Sequence, residues 1–177
     1  MTVAPTPAPE FSCMVDRRQL TAAPLVLRAD DAQRAALAQR FGIVAVKRLE
    51  ATVSLIADGE AVNAAGTLEA DIVQSCAVSG EDLPVEIREP LTFRFVPDTG
   101  PGTPDEEIEL DGTELDEIPY SGTAFDLGEA VAESLALAID PYATGPEADA
   151  VREKFGLNDE GPKGPLAAAL AALVKKD

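Results

Sequence analysis

The chain contains no histidine and no tryptophan, and only two tyrosines and two cysteines. Without histidine it lacks the commonest general base and the commonest zinc ligand. With so few aromatics, and neither tyrosine in the basic first third, it is poorly equipped to read single-stranded RNA by base stacking. Cys13 and Cys76 lie far apart in different settings, which points to free thiols and a cytoplasmic protein. Bases are scarce: 14 face 32 acids, for a net charge of −18. That balance opposes attraction to nucleic-acid phosphates or anionic lipid, so neither DNA nor a membrane is an expected partner. It suits a protein that meets a basic one. No apolar run reaches the length of a transmembrane helix. The opening MTVAPTPAPEFSCMVDRRQL lacks the basic-then-apolar order of a secretory signal. What is present, 177 residues of which 46% are apolar, suffices for one domain of ordinary size with additions.

The clearest structural signal runs from Leu68 to Val96. Leu68, Ala70 and Ile72 alternate with Glu69, Asp71 and Val73. Val85, Ile87, Leu91, Phe93 and Phe95 recur on odd positions between polar residues. Period two places successive side chains on opposite faces, as a half-buried antiparallel strand requires. Ser79-Gly80-Glu81-Asp82 supplies the turn, with Gly80 free to take positive φ. Pro84 and Pro90 cannot donate to a ladder and belong at an edge, a bulge or a break.

Before this hairpin, residues 1 to about 12 read as an extended lead-in rich in Pro, Ala and Thr. Phe11 to Asp16 and Pro24 to Ala29 are short strand candidates. Asp30 with Gln33 has capping-box spacing, so a helix starts there, carries Leu37, Ala38 and Phe41 inward, and ends at Gly42. Extended structure restarts at Ile43 and continues through Leu49, Ala51, Val53 and Leu55 to a type I′ hairpin signal at Asp58-Gly59. Val62 to Gly66 begins the return.

After Pro97 the composition changes. Residues 98–119 hold nine acids and no base, and no base occurs between Arg94 and Arg152. This stretch reads as an acidic loop or linker. Asp126, with Glu129 at capping-box spacing, then starts a second helix whose stripe is Leu127, Val131, Leu135 and Ile139, ended by Pro141. Glu129 and Glu133 are expected to face water. A loop over 144–164 leads to Pro165 and a terminal helix with Leu166, Leu170, Leu173 and Val174 on one face and Lys175 and Lys176 at its end. The expected class is α+β: a predominantly antiparallel meander covered by helices, with an acidic loop and a C-terminal helix. The expected division is a flexible lead-in over 1–21, one domain over 22–143 including the acidic insert 98–119, and a loop and helix over 144–177.

No catalytic constellation is legible. Glu107 to Gly112 loosely echoes the start of an EF-hand loop, but its twelfth position would be Ile118 rather than a bidentate glutamate. Cys76 has neither a second thiol nor a histidine beside it, so a buried strand cysteine is the simple reading, and Cys13, near a mobile terminus, reads as incidental. No metal and no cofactor is expected. Half of the bases, Arg17, Arg18, Arg28, Arg34, Arg40, Lys47 and Arg48, precede Leu49, and they form either a local positive face or a scatter of solvated side chains. The terminal helix either docks back onto the domain or anchors a partner.

The strand leading into Val73-Gln74-Ser75-Cys76-Ala77-Val78-Ser79-Gly80, the acidic insert, the helix in Phe125-Asp126-Leu127-Gly128-Glu129-Ala130-Val131-Ala132-Glu133-Ser134-Leu135-Ala136-Leu137-Ala138-Ile139-Asp140-Pro141-Tyr142 and the closing Gly-Pro-Leu-Ala-Ala-Ala-Leu follow in a distinctive order. The arrangement, from about Ala22 onward, resembles the YceD-like family, the large ribosomal RNA subunit accumulation proteins of bacteria and plastids. The resemblance implies a non-enzymatic, cytoplasmic role in the accumulation, processing or stability of 23S ribosomal RNA. It implies as partner a large-subunit precursor or a small basic ribosomal protein, with RNA association that can be indirect. Cys76, Asp126, Leu127, Glu129, Glu133, Pro141 and Tyr142 carry the motif and read as structural. Many members place a second cysteine where this chain has Ser79, which weakens any metal or redox role here. Asp105, Glu106, Glu107, Glu109 and Asp111, with Leu166, Leu170 and Leu173, are the candidate partner-binding residues. The alternative is an adaptor that holds an RNA-processing nuclease by its C-terminal helix. A magnesium nuclease built on Glu107, Glu109 and Asp111 has only carboxylate number behind it.

Overall fold

The computed structural model describes residues 9–98 and 117–156. A long antiparallel hairpin pair dominates. Strands β3 (Ala45–Asp58), β4 (Ala61–Ser75) and β5 (Asp82–Pro97) form a meander. Strand β2 (Leu25–Arg28) pairs with β3 on one side, and β6 (Glu117–Tyr120) pairs with β5 on the other, in parallel. The order is β2-β3-β4-β5-β6, with β4 central. A second, two-stranded sheet joins β1 (Met14–Asp16) to β7 (Ala124–Asp126). The result is the expected α+β class with a mostly antiparallel sheet.

Alternation sorts the two faces. Leu49, Ala51, Val53, Leu68, Ala70, Ile72, Leu91 and Phe95 point inward and are buried. Helices α1 (Asp31–Phe41) and α2 (Leu127–Ala138) bring Leu37, Leu127, Val131 and Leu135 onto them, each fully buried. Phe95 stacks on Phe125 with ring centroids 4.1 Å apart, which joins the large sheet to the small one. The outward face carries ion pairs between neighbouring strands, such as Arg28–Glu50 and Arg48–Asp71.

The local reasons are specific. Val46 and Leu49 both point inward although their spacing is odd, and a register shift between Val46 and Arg48 makes that compatible with a strand. Ile43 and Val44 precede this strand rather than start it. The hairpin between β3 and β4 turns at Gly59-Glu60, with Asp58 opposite Ala61. Only Gly59 has positive φ (63°), so the turn has the glycine-first pattern of type II′, not type I′. Asp98 N–H donates to Tyr120 O, so even-numbered N–H groups of β5 point away from β4. Pro84 and Pro90 share that parity, and β6 pairs only with residues 94–97. Both prolines therefore face a stretch of the β5 edge that no strand pairs among the described residues, and β4–β5 pairing runs through them unbroken.

Gly66 answers a different constraint. A Cβ there would lie 2.0 Å from the Thr52 carbonyl oxygen and 2.9 Å from Val53 Cα. The sheet coils so closely at this point that only glycine leaves room for the neighbouring backbone.

Several sequence expectations need correction. From Phe11 on, the stretch read as lead-in belongs to the fold, since Phe11 and Val15 are buried. The end of the acidic stretch is β6, where Glu117 pairs with Arg94. Within the loop read over 144–164, Ala148–Phe155 forms helix α3, capped by Gly156 at φ 65°.

Candidate functional site

Two constructions hold the motif residues. The first is a knuckle at the turn between β4 and β5. Cys76 N–H donates to Glu81 O at 2.7 Å, and Gly80 N–H, at a residue with φ 77°, donates back to Cys76 O at 3.0 Å. The Cys76 Sγ then accepts from the N–H groups of Val78 (3.5 Å), Ser79 (3.3 Å) and, from the segment after α2, Gly145 (3.4 Å). The same two segments are joined by Ala77 N–H to Ala143 O, by Glu147 N–H to Glu81 Oε1, and by the buried Gln74 side chain to Asp140 O. Gly145 is packed against this joint, since a Cβ there would fall 2.4 Å from Glu81 Oε1.

Cys76 is buried, as expected, but it sits one residue past the strand, at the head of a turn. Hydrogen bonds from Ser79, side chain then backbone, lead those that pull its thiol down to about 6, against the opposing effect of burial. Ser79 thus leads the groups that hold this thiol down. An acid whose value is lowered from 9.0 to about 6 on folding contributes stability fully above about pH 9, and that contribution is lost as pH falls through about 6. Thiolate absorbance near 240 nm is expected to show a step close to pH 6 that vanishes in Cys76→Ser and persists in Cys13→Ser. Cys13 moves the other way, its thiol raised by burial and then by the charge of Asp126. A single thiolate step at pH 9 or above would contradict the geometry.

The second construction is the start of α2. Asp126 Oδ1 accepts from Glu129 N–H (3.1 Å), the expected cap, and from Cys13 N–H (2.8 Å). Its Oδ2 accepts from Ser12 Oγ–H at 2.6 Å. Leu127 N–H donates to Cys13 O at 3.0 Å, so the backbone of Cys13 is built into the joint. At Gly128 a Cβ would meet Cys13 N at 2.6 Å, so the N-terminal segment lies directly on the helix. The Glu129 carboxylate does not complete a capping box, and it is half-buried rather than free in water. It holds Arg40 of α1 through both guanidinium nitrogens, at 2.7 and 3.0 Å, and Arg40 also reaches Glu10. These bonds, Glu129 first, raise the Arg40 pKa and keep it charged. Glu133 does face water, and Pro141 and Tyr142 are exposed beyond the helix.

The basic residues settle into a pattern that sequence reading left open. All nine arginines of the chain lie among the described residues, and every one is ion-paired. Arg48 holds Glu69 and Asp71, and Arg94 holds Asp58 and Glu117. The early arginines do not pool into a positive face: on the sheet, antiparallel register puts a carboxylate opposite Arg28, Arg48 and Arg88, and parallel register puts Glu117 opposite Arg94.

Asp105, Glu106, Glu107, Glu109, Asp111, Leu166, Leu170 and Leu173 lie outside the described residues, as do the EF-hand echo at 107–112 and the terminal helix. Among the described residues no three His, Cys, Asp or Glu side chains cluster to hold a metal ion. No described helix is long and apolar enough to cross a membrane.

Comparison with known proteins gives one result. No curated protein and no solved structure matches the chain. One family model matches residues 64–165, more than half of the chain, a span that begins in β4 and takes in the Cys76 knuckle, α2 and α3. It starts later than the resemblance read from Ala22. On this match the chain belongs to the family described as large ribosomal RNA subunit accumulation protein YceD.

Proposed function

We propose that the protein supports the accumulation of large-subunit ribosomal RNA by binding, without catalysis, and that its direct partner is a basic protein segment of the assembling subunit rather than RNA. The observation that carries this reading is the pairing of all nine arginines. A phosphate approaching any of them meets a carboxylate already in place, which offsets part of its attraction. The unbalanced charge is negative, and a chain at −18 attracts Lys- and Arg-rich segments over a Debye length. Such a surface competes with RNA phosphates for a basic protein and keeps it soluble until it is delivered. The cytoplasm is the compartment where this would occur.

The test is a titration of the full chain with a purified basic large-subunit protein and, separately, with a 23S RNA fragment. Affinity for the protein is expected to fall about tenfold or more between roughly 50 and 200 mM salt, because the attraction is screened. RNA alone is expected not to bind at the same concentrations. A protein complex indifferent to salt, or RNA binding of equal strength, would overturn the reading.

A further inference from the structure

We propose that the groove between α2 and the edge of β5 seats an amphipathic helix of a basic partner protein, with apolar side chains inward and lysine or arginine side chains on the rim. This deepens the function proposed above and rests on it, since it gives the basic segment a place to bind. The groove, of about 280 Å³, is floored by Leu91, Phe93 and Ile118. It lies where β6, which pairs only with residues 94–97 of β5, leaves the strand edge open beside α2 among the described residues. Leu137 stands on its wall and is 88% exposed, although it belongs to a helix that carries much of the core. The rim is acidic: Glu117 and Glu133 line it and no base does. Glu117 is shared with Arg94, whereas the exposed Glu133 carboxylate meets no base among the described residues.

The chemistry of the groove selects this occupant. A nucleic acid would bring phosphates against the acidic rim. A second copy of the chain would bring a net charge of −18 against the same charge, and the same two glutamates against their equals. A partner strand added to the β5 edge would lose a ladder bond at Pro90, which lines the groove and has no N–H. A helix needs no backbone bonds from the groove. It presents apolar side chains at i, i+3, i+4 and i+7 to the floor, and basic ones at flanking positions to Glu117 and Glu133. Apolar burial then supplies affinity, and the carboxylates set orientation and salt dependence. The overall negative charge attracts any basic segment, and this groove is what distinguishes an amphipathic one from a merely basic one.

The test uses the full chain and two labelled peptides of about fourteen residues, made of leucine and lysine alone and long enough to lie along α2. One places its leucines at helical spacing, and the other has the same composition in an order that spreads them around the helix. Fluorescence anisotropy is expected to show the first binding about tenfold more tightly or better. Leu137→Ala should weaken it about tenfold and Glu133→Gln about threefold. Glu86→Gln, an equal change in net charge at an exposed site outside the groove, should change it by less than about twofold. Without peptide, the melting temperature of Leu137→Ala should stay within about 1 °C of the unsubstituted chain. Equal binding of the two peptides would overturn the proposal, as would Leu137→Ala and Glu133→Gln binding the helical peptide undiminished. A lower melting temperature in Leu137→Ala would show that the chain covers its own groove, and a dimer in sedimentation that Leu137→Ala dissociates would assign the groove to a second copy; either result overturns it. Salt-sensitive binding of the basic large-subunit protein that survives both substitutions leaves the function standing and sinks this site. Helical-peptide binding that needs Leu137, with no binding of that protein, keeps the groove as a docking site and sinks the function.

Discussion

Gly66→Ala is expected to destabilise the protein by about 3 kcal/mol or more, although it adds a single methyl group. The new carbon would sit 2.0 Å from the Thr52 carbonyl oxygen, 2.9 Å from the Thr52 carbonyl carbon and 2.9 Å from Val53 Cα. All three are backbone atoms of β3, so no side-chain rotation relieves the overlap. Relief requires β3 and β4 to part where Gly66 opposes Val53, and β4 is paired on both flanks, with Leu91 of β5 on its other side. Straightening the sheet there would also shift Val53 and Leu68, both fully buried. Urea unfolding followed by circular dichroism measures the loss. Ala65→Ser, at the exposed neighbouring position, is the control and should change stability by less than about 0.5 kcal/mol. Equal midpoints for Gly66→Ala and the unsubstituted chain would mean that the strands have room after all.

Asp126→Ala comes next, with an expected loss of about 3 kcal/mol. The carboxylate has three donors, and alanine has nothing to offer any of them. Removing the cap from Glu129 N–H costs about 1 kcal/mol by itself. The part-buried N–H of Cys13 is then left without its acceptor, which costs about 1–3 kcal/mol more. Ser12 is exposed, and water replaces the lost bond at little cost. Asp126→Asn keeps an acceptor and should lose less than half as much. The cleanest measurement is a cycle of Asp126→Ala with Ser12→Ala by chemical denaturation. The serine is expected to matter little in either background. If Asp126→Ala unfolds at the same urea concentration as the unsubstituted chain, the joint between the N-terminal segment and α2 is not held as described.

Much of this architecture was open to sequence reasoning, because local rules govern it. Alternation located β3, β4 and β5, and capping chemistry located α1 and α2, with Asp30 and Gln33 forming both bonds of a capping box. Short elements were less legible. β6 and β7 have four and three residues, too few for a period to declare itself, and β7 exists only because β1 returns from over a hundred residues away. The helix at 148–155 was hidden by its brevity, although Gly156 and the basic residues Arg152 and Lys154 mark its end. Gly66 passed as an unremarked strand residue, yet an isolated glycine inside an alternating run is itself a sign of close backbone approach. The partners of Glu129 and Cys76 could not be read at all. A glutamate at capping-box spacing and a cysteine after a strand look alike whether they meet water or, as here, Arg40 and the N–H of Gly145.

The bond from Cys13 to Asp126 spans 113 positions, and it gives the protein a timetable. A chain leaves the ribosome N-terminus first, at about 5–20 residues per second, so the segment around Phe11 waits roughly six to twenty seconds for the carboxylate that will hold it. During that interval the β3–β4–β5 meander can assemble from neighbouring residues, but its inner face lacks α2 and the Phe11 segment. The inner face of the sheet is thus closed only after α2 has been made, when that helix reaches back over the first strand.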